Sequence, residues 1–193
     1  MTEPAHASLE PSPWVRRWAH LIAPGATVLD VACGSGRHMR WLAARGHKMS
    51  GVDRDAAALD ALRDIGEAVV ADIEGGPWPF TGRRFGAVVL TNYLWRALTP
   101  TLLASLEPGG VYLHETFAEG NASVGKPSNP AFLLGHGELL SACAGLRIVA
   151  YEDGFLDTPQ RFVQRIAALR EDLPARAAPT PMLPQRYPLV APG

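Results

Sequence analysis

Two cysteines in 193 residues exclude a disulfide framework. Cys33 and Cys143 fit neither the spacing of a metal site nor that of a redox pair, so no metal is predicted and a reducing, cytoplasmic setting is expected. No apolar run reaches the ~18 residues of a membrane span, and the amino terminus carries no signal-peptide core. An excess of one charge is missing as well. With 18 basic against 19 acidic residues the net charge is −1, which predicts no global attraction to nucleic acid.

What is present suits one globular domain. Apolar residues make up 47% of the chain, enough for a single sizeable core. Residues 1–11 read as a loose leader, 12–170 as the domain and 171–193 as a tail with prolines at 174, 179, 181, 184, 188 and 192. Ser12 and Pro13 open a helix as N-cap and first helical residue, with Trp14, Val15, Trp18, Leu21 and Ile22 on its apolar face. Strands are predicted at 26–32, 47–53, 67–72, 85–91, 110–117, 146–152 and 161–169. Helices are predicted at 36–45, 55–64, near 99–106 and at 131–144. This alternation predicts an α/β, doubly wound, mostly parallel seven-stranded sheet with helices on both faces.

The most informative stretch is Val28-Leu29-Asp30-Val31-Ala32-Cys33-Gly34-Ser35-Gly36-Arg37-His38. An apolar strand runs into an acid, and a small-residue loop then opens a helix at the carboxyl edge of the sheet. Gly34 and Gly36 let the main chain approach a ligand closely. A dinucleotide would set its pyrophosphate at this turn, where Asp30 repels it. Its fingerprint also needs a third glycine, where this chain has Met39. S-adenosylmethionine, with a sulfonium and an ammonium, is favoured by the same carboxylate. The alternative is a plain strand-to-helix turn without a ligand. Two further predicted strands close on Asp53 and Asp72. Asp53 lies near the ~20-residue separation from the loop expected of a ribose-binding acid. Three acids in phase would place three carboxylates along one sheet edge, where open α/β sheets bind ligands.

Through Leu29 to Arg37 and Gly51-Val52-Asp53, the chain resembles the class I S-adenosylmethionine-dependent methyltransferases of the small stand-alone kind, loosely those of the tellurite-resistance type. The resemblance spans roughly residues 12–170 and implies a Rossmann-like fold whose last strand inserts antiparallel. Ala32 departs from it, standing where many members carry the first glycine of the loop; slightly altered packing is expected. S-adenosylmethionine is the implied cofactor. Asp30 and Gly34 to Gly36 would hold its methionine end, with Arg37 on the carboxylate. Asp53 would take the ribose hydroxyls, and Asp72 with Ile73 the adenine. Ala32, Arg54 and Asn92 complete the expected cofactor set.

Two residues are candidates for the catalytic step. Tyr93 would form an apolar wall, or else belong to the core together with Trp95. His114 would accept a proton from the acceptor, or else be a satisfied structural histidine. Arg96 would pair with an anionic acceptor or a neighbouring acid. Gly120 to Lys126 imitates a phosphate-binding loop, but Pro127 stands where a magnesium-holding Ser or Thr belongs; residues 119–130 are expected to form a loop, either a lid or plain surface. The predicted activity is methyl transfer to a small-molecule acceptor by in-line displacement. An RNA methyltransferase and a non-catalytic cofactor-binding module are the alternatives. Oligomeric state is open.

Overall fold

A computed structural model gives the fold, and it describes residues 10–171 and 186–191. The expected leader therefore lies almost wholly outside the described residues, as does most of the tail. Five parallel strands, β1 (Thr27–Val31), β2 (Lys48–Asp53), β3 (Glu67–Val70), β4 (Phe85–Thr91) and β5 (Leu106–Phe117), are followed by a hairpin of β6 (Arg147–Asp157) and β7 (Gln160–Leu169). The sheet order is β3-β2-β1-β4-β5-β7-β6. β7 lies antiparallel between β5 and β6, as the family resemblance implies. The chain reverses direction across the sheet between β1 and β4, and this switch point is where such folds open a crevice.

Side chains alternate along each strand and feed two apolar layers. Val28, Met49, Ala87, Val89, Val111 and Leu113 face one layer with α1 (Pro13–Trp18), α2 (Arg37–Ala43) and α3 (Ala56–Asp60). Leu29, Val31, Val88, Leu90, Tyr112 and Ile166 face the other with α4 (Thr99–Ala104) and α5 (Glu138–Ala142). α1 is set by Ser12, whose hydroxyl accepts from the Trp14 amide at 3.1 Å, with Pro13 beginning the helix. Trp14 and Trp18 are fully buried and pack edge to face at 5.7 Å. Each contributes on the order of 2–3 kcal/mol of burial. In the expected tail, Tyr187 packs against this same layer and its hydroxyl donates to Glu171 at 3.4 Å.

Several boundaries differ from expectation. The helix predicted at 131–144 is cut to Glu138–Ala142. Gly137 takes φ +67 just before it, and Leu134 bridges to Ala118 in extended conformation. The helix predicted at 55–64 is regular only over Ala56–Asp60, although Leu59 and Leu62 both reach the core. β6 runs to Asp157, because the hairpin with β7 continues the pairing past the expected end at 152.

Candidate active site

The glycine loop is built by three left-handed residues and one tight fit. Gly34 and Gly36 adopt φ +53 and +74, and a Cβ on Gly36 would collide with Leu62. Ala32 also takes a positive φ of 51, a conformation that costs a non-glycine residue about 1–2 kcal/mol. The family's glycine at this point therefore has a conformational reason, and the alanine carries strain rather than only altered packing. Met39 is fully buried against Gly51 of β2, so the small residue that lets helix and strand approach sits on the strand instead of the helix.

The carboxyl ends of β1, β2 and β4 enclose two adjoining cavities. A smaller one, about 310 Å³, is lined by Ala32 to Ser35 of the glycine loop with Arg37, His38, Thr91, Asn92 and Tyr93, whereas Gly36, packed on Leu62, lines neither. A larger one, about 500 Å³, is lined by Asp53, Arg54, Asp72 and Ile73 on one side and by Thr116, Phe117, Pro127 and Phe132 on the other. Ala32, Asn92 and Tyr93 border both. The smaller lobe thus has one charged side chain, Arg37, and the larger has three carboxylates, Asp53, Asp72 and Glu74, with the Arg54 guanidinium among them.

Of the three expected edge carboxylates, two reach the cleft. Asp53 ends β2, and its Oδ2 accepts from the Gly34 amide at 2.8 Å while Oδ1 accepts from Asp55 N–H at 3.0 Å. It therefore fastens the glycine loop to β2 while lining the larger cavity. Asp72 lies two residues past β3 and is exposed. Its Oδ1 accepts from the amides of Gly75 and Glu74, and these bonds hold its pKa below the ordinary value. Asp30 is the correction. Val31, not Asp30, ends β1, and pleat alternation turns Asp30 under the loop, where it is 1% exposed and lines neither cavity. One Asp30 oxygen lies 3.7 Å from His38 Nδ1, and the other has no partner among the described residues. His38 Nε2 accepts the Ser12 amide at 3.1 Å, so in this arrangement the ring proton sits on Nδ1, toward Asp30. His38 links α1 to the loop and also borders the smaller cavity.

Arg37 borders the smaller cavity, and its Nη2 donates to Thr91 Oγ1 at 3.2 Å. Cys33 is buried, and burial with the charges of Asp30 and Asp53 pushes its thiol far up, which suits packing and not nucleophilic attack. Tyr93 donates its hydroxyl to Glu74 at 3.1 Å from the wall of the larger cavity. Burial, then that bond, raises its pKa well above the ordinary value. His114 does not face the cleft. It is 1% exposed, with Nδ1 at 3.1 Å from the Tyr112 hydroxyl and Nε2 at 3.2 Å from the Tyr93 carbonyl. Burial pushes its pKa down to about 4. The expected proton acceptor is thus a structural group supporting the main chain beneath Tyr93.

Arg96 pairs with a neighbouring acid. Nε donates to Glu138 Oε1 at 2.6 Å, and the same guanidinium reaches the carbonyls of Ala131 and Leu133 at 2.7 Å. It pins the segment that brings Phe132 to the larger cavity. The phosphate-loop imitation fails in space. The amides of Val124 and Gly125 both donate to the Asn121 carbonyl, leaving no cradle for an anion. Asn121 is buried and anchors the loop through Pro127 O at 3.0 Å and Phe162 N at 3.2 Å. Among the described residues no helix is long and apolar enough to cross a membrane, and no cluster of ligand-type side chains could hold a metal. The sequence reading missed Glu115 and Arg161. The Glu115 carboxylate at the end of β5 is 1% exposed and is shared by Ser12, Arg161 and Arg165.

Residues 28–110 match a family described as a methyltransferase domain. A curated relative, the malonyl-[acyl-carrier protein] O-methyltransferase of Serratia marcescens, is 33% identical over 107 residues. That match takes in 51% of this chain and 41% of the relative, so the chain matches less than half of its length. TehB from Haemophilus influenzae superposes with a TM-score of 0.66 at 19% identity, over 79% of this chain and 60% of that one. An S-adenosylmethionine-dependent methyltransferase from Methanosarcina mazei gives 0.65 at 15%, over 84% and 99% respectively. The match to a methyltransferase domain is confined to residues 28–110, and the fold is the one these two solved structures share.

Proposed function

We propose that this protein transfers the methyl group of S-adenosylmethionine to a small-molecule acceptor. The observation that carries the reading is the two-lobed cleft. A small cavity beside the Arg37 guanidinium joins a larger one rich in carboxylates (Asp53, Asp72 and Glu74), which suits a ligand that has an amino-acid end and a nucleoside end. Asp53 would take the ribose hydroxyls, because a carboxylate already holding one amide on each oxygen keeps further lone pairs. Asp72, Ile73 and Arg54 would border the adenine, and Arg37 the carboxylate. Ala32 and Tyr93 at the junction would flank the sulfonium. Asp30, buried below, contributes a negative field without contact.

The cofactor supplies an already activated methyl group. The chain's contribution is alignment and exclusion of water, worth ~7–11 kcal/mol in well-oriented reactions. With His114 buried and Tyr93 held protonated, neither is poised as a base near neutral pH. Acceptors that ionise readily or carry a free lone pair suit such a site. Phe117, Phe132, Pro127 and Leu94 give the outer cavity an apolar wall, which favours an acceptor with an apolar body. The buried thiols and near-zero net charge support a cytoplasmic enzyme with little affinity for RNA. The test is a screen of small acceptors with methyl-labelled S-adenosylmethionine. Label passing to an acceptor, and ceasing in Asp53→Ala, supports the reading; label passing to RNA instead would replace the acceptor class.

A further inference from the structure

Thr91 and Asn92, the last residue of β4 and its successor, are each gripped by an arginine from a different element. Arg37 of α2 holds Thr91, and Arg161 of β7 donates from Nη1 to Asn92 Oδ1 at 3.3 Å. A guanidinium has donors only, so the Asn92 atom facing it must be the oxygen. The amide nitrogen is then the free end. It makes no hydrogen bond among the described residues, on a residue that borders both cavities. The Asn92 backbone is fixed as well. It stands at φ +55, a region asparagine tolerates, and its N–H donates to the Glu115 carbonyl at 2.8 Å.

Arg161 is itself held by a buried carboxylate. Its Nη2 donates to Glu115 Oε1 at 3.4 Å, and that buried carboxylate is braced by Arg165 at 3.2 Å and by the Ser12 hydroxyl at 3.0 Å. Arg161 Nε is buried without a partner among the described residues, so the two Nη groups alone orient the side chain. The two guanidinium groups also sense each other. Burial lowers the Arg37 pKa from its ordinary value, Asp30 and Glu115 oppose the shift, and the Arg161 charge adds to it. An anion between Asn92 and Arg37 would relieve that crowding.

We propose that Arg161 is a positioning residue that locks the Asn92 amide with its NH2 toward the cleft, so that Asn92 and Arg37 together bind the carboxylate at the cofactor's methionine end. The inference rests on the S-adenosylmethionine reading and adds to it a residue from the far hairpin that touches no ligand. Calorimetry with two probes separates this role from a structural one. S-adenosylhomocysteine keeps the amino-acid end, and 5′-methylthioadenosine lacks it. Arg161→Met should weaken S-adenosylhomocysteine about ten- to hundredfold, the worth of one hydrogen bond to a charged group, and leave methylthioadenosine within about twofold. Asn92→Asp, on an exposed residue whose carboxylate can still pair with Arg161, should show the same selective loss without risk to folding. Wild-type affinity for S-adenosylhomocysteine in both variants overturns the proposal. So does an equal loss of both probes, which marks a general structural defect. A wild-type protein that binds neither probe would instead overturn the cofactor reading, and this inference with it.

Discussion

The contact between Gly51 and Met39 joins β2 to the helix that follows the glycine loop, and its energy can be worked out. A Cβ on Gly51 would overlap Met39 Sδ and approach Cys33 Sγ at 3.0 Å and Met39 Cε at 3.1 Å. Overpacking costs about 1–3 kcal/mol, and a methionine yields more readily than a branched side chain, so the lower half applies. Reduced backbone freedom of the unfolded chain returns about 0.5–1 kcal/mol. Gly51→Ala should therefore destabilise by roughly 0–1.5 kcal/mol. Met39→Ala empties a fully buried site and should cost about 2–4 kcal/mol. In the double variant the new methyl fills part of the vacated space and the overlap vanishes. The pair should then fall short of the summed costs by about 1–2 kcal/mol, a methylene's burial plus the relieved strain. Urea unfolding of the four proteins measures this coupling, and each kcal/mol should shift Tm by about 2–4 °C. Costs that add within about 0.5 kcal/mol would show that the two residues do not compete for one space, and the account of this helix–strand approach would fail.

Two further outcomes are expected. Asp53→Ala removes the acceptor of the Gly34 and Asp55 amides together with the ribose-binding carboxylate, so S-adenosylhomocysteine affinity by calorimetry should fall about a hundredfold or more; a loss under threefold would remove Asp53 from the site. His114 has its folded pKa pushed down to about 4, so between there and its ordinary 6.5 the unfolded chain binds the extra proton. The stability it contributes is present above pH 6.5 and is lost as pH falls toward 4. His47, lowered by burial, acts in the same direction, so the diagnostic is a smaller drop in Tm from pH 7 to pH 5 in His114→Gln than in the wild type.

The parallel half of the sheet is legible because each strand is a short apolar run ended by an acid or a turn, and β4 falls on the predicted 85–91. The same regularity misplaces Asp30. Counting acids in phase along three strands ignores that the pleat turns each residue to one face, and Asp30 shares the face of Val28, toward α2. His114 is a second instance. Its position at a strand's carboxyl end is right for catalysis, but the ring is enclosed by Tyr112 and the Tyr93 carbonyl, and enclosure is a tertiary property. Arg161 was invisible for a different reason. Antiparallel insertion of β7 brings it beside Asn92, a contact across 69 residues that no local pattern encodes. A partial signal existed. Arg161 and Arg165 lie four apart on one strand and so share a face, and Arg165 is the direct cross-strand partner of both Glu115 and Glu152. Charged residues on one face of an apolar strand predict partners on the next strand. The glycine loop, by contrast, declared itself through residues whose backbone angles only small side chains reach easily.

The claim on which the rest stands is that Arg37 after β1, Asp53 at the end of β2 and Asp72 after β3 border one cleft for a nucleoside bearing an amino acid. Calorimetric titration of the purified protein with S-adenosylhomocysteine, beside the dinucleotide NAD as control, tests it most directly. One site per chain saturating with the first ligand, and no heat with the second, is the predicted result. No heat with S-adenosylhomocysteine, or a preference for NAD, would contradict it.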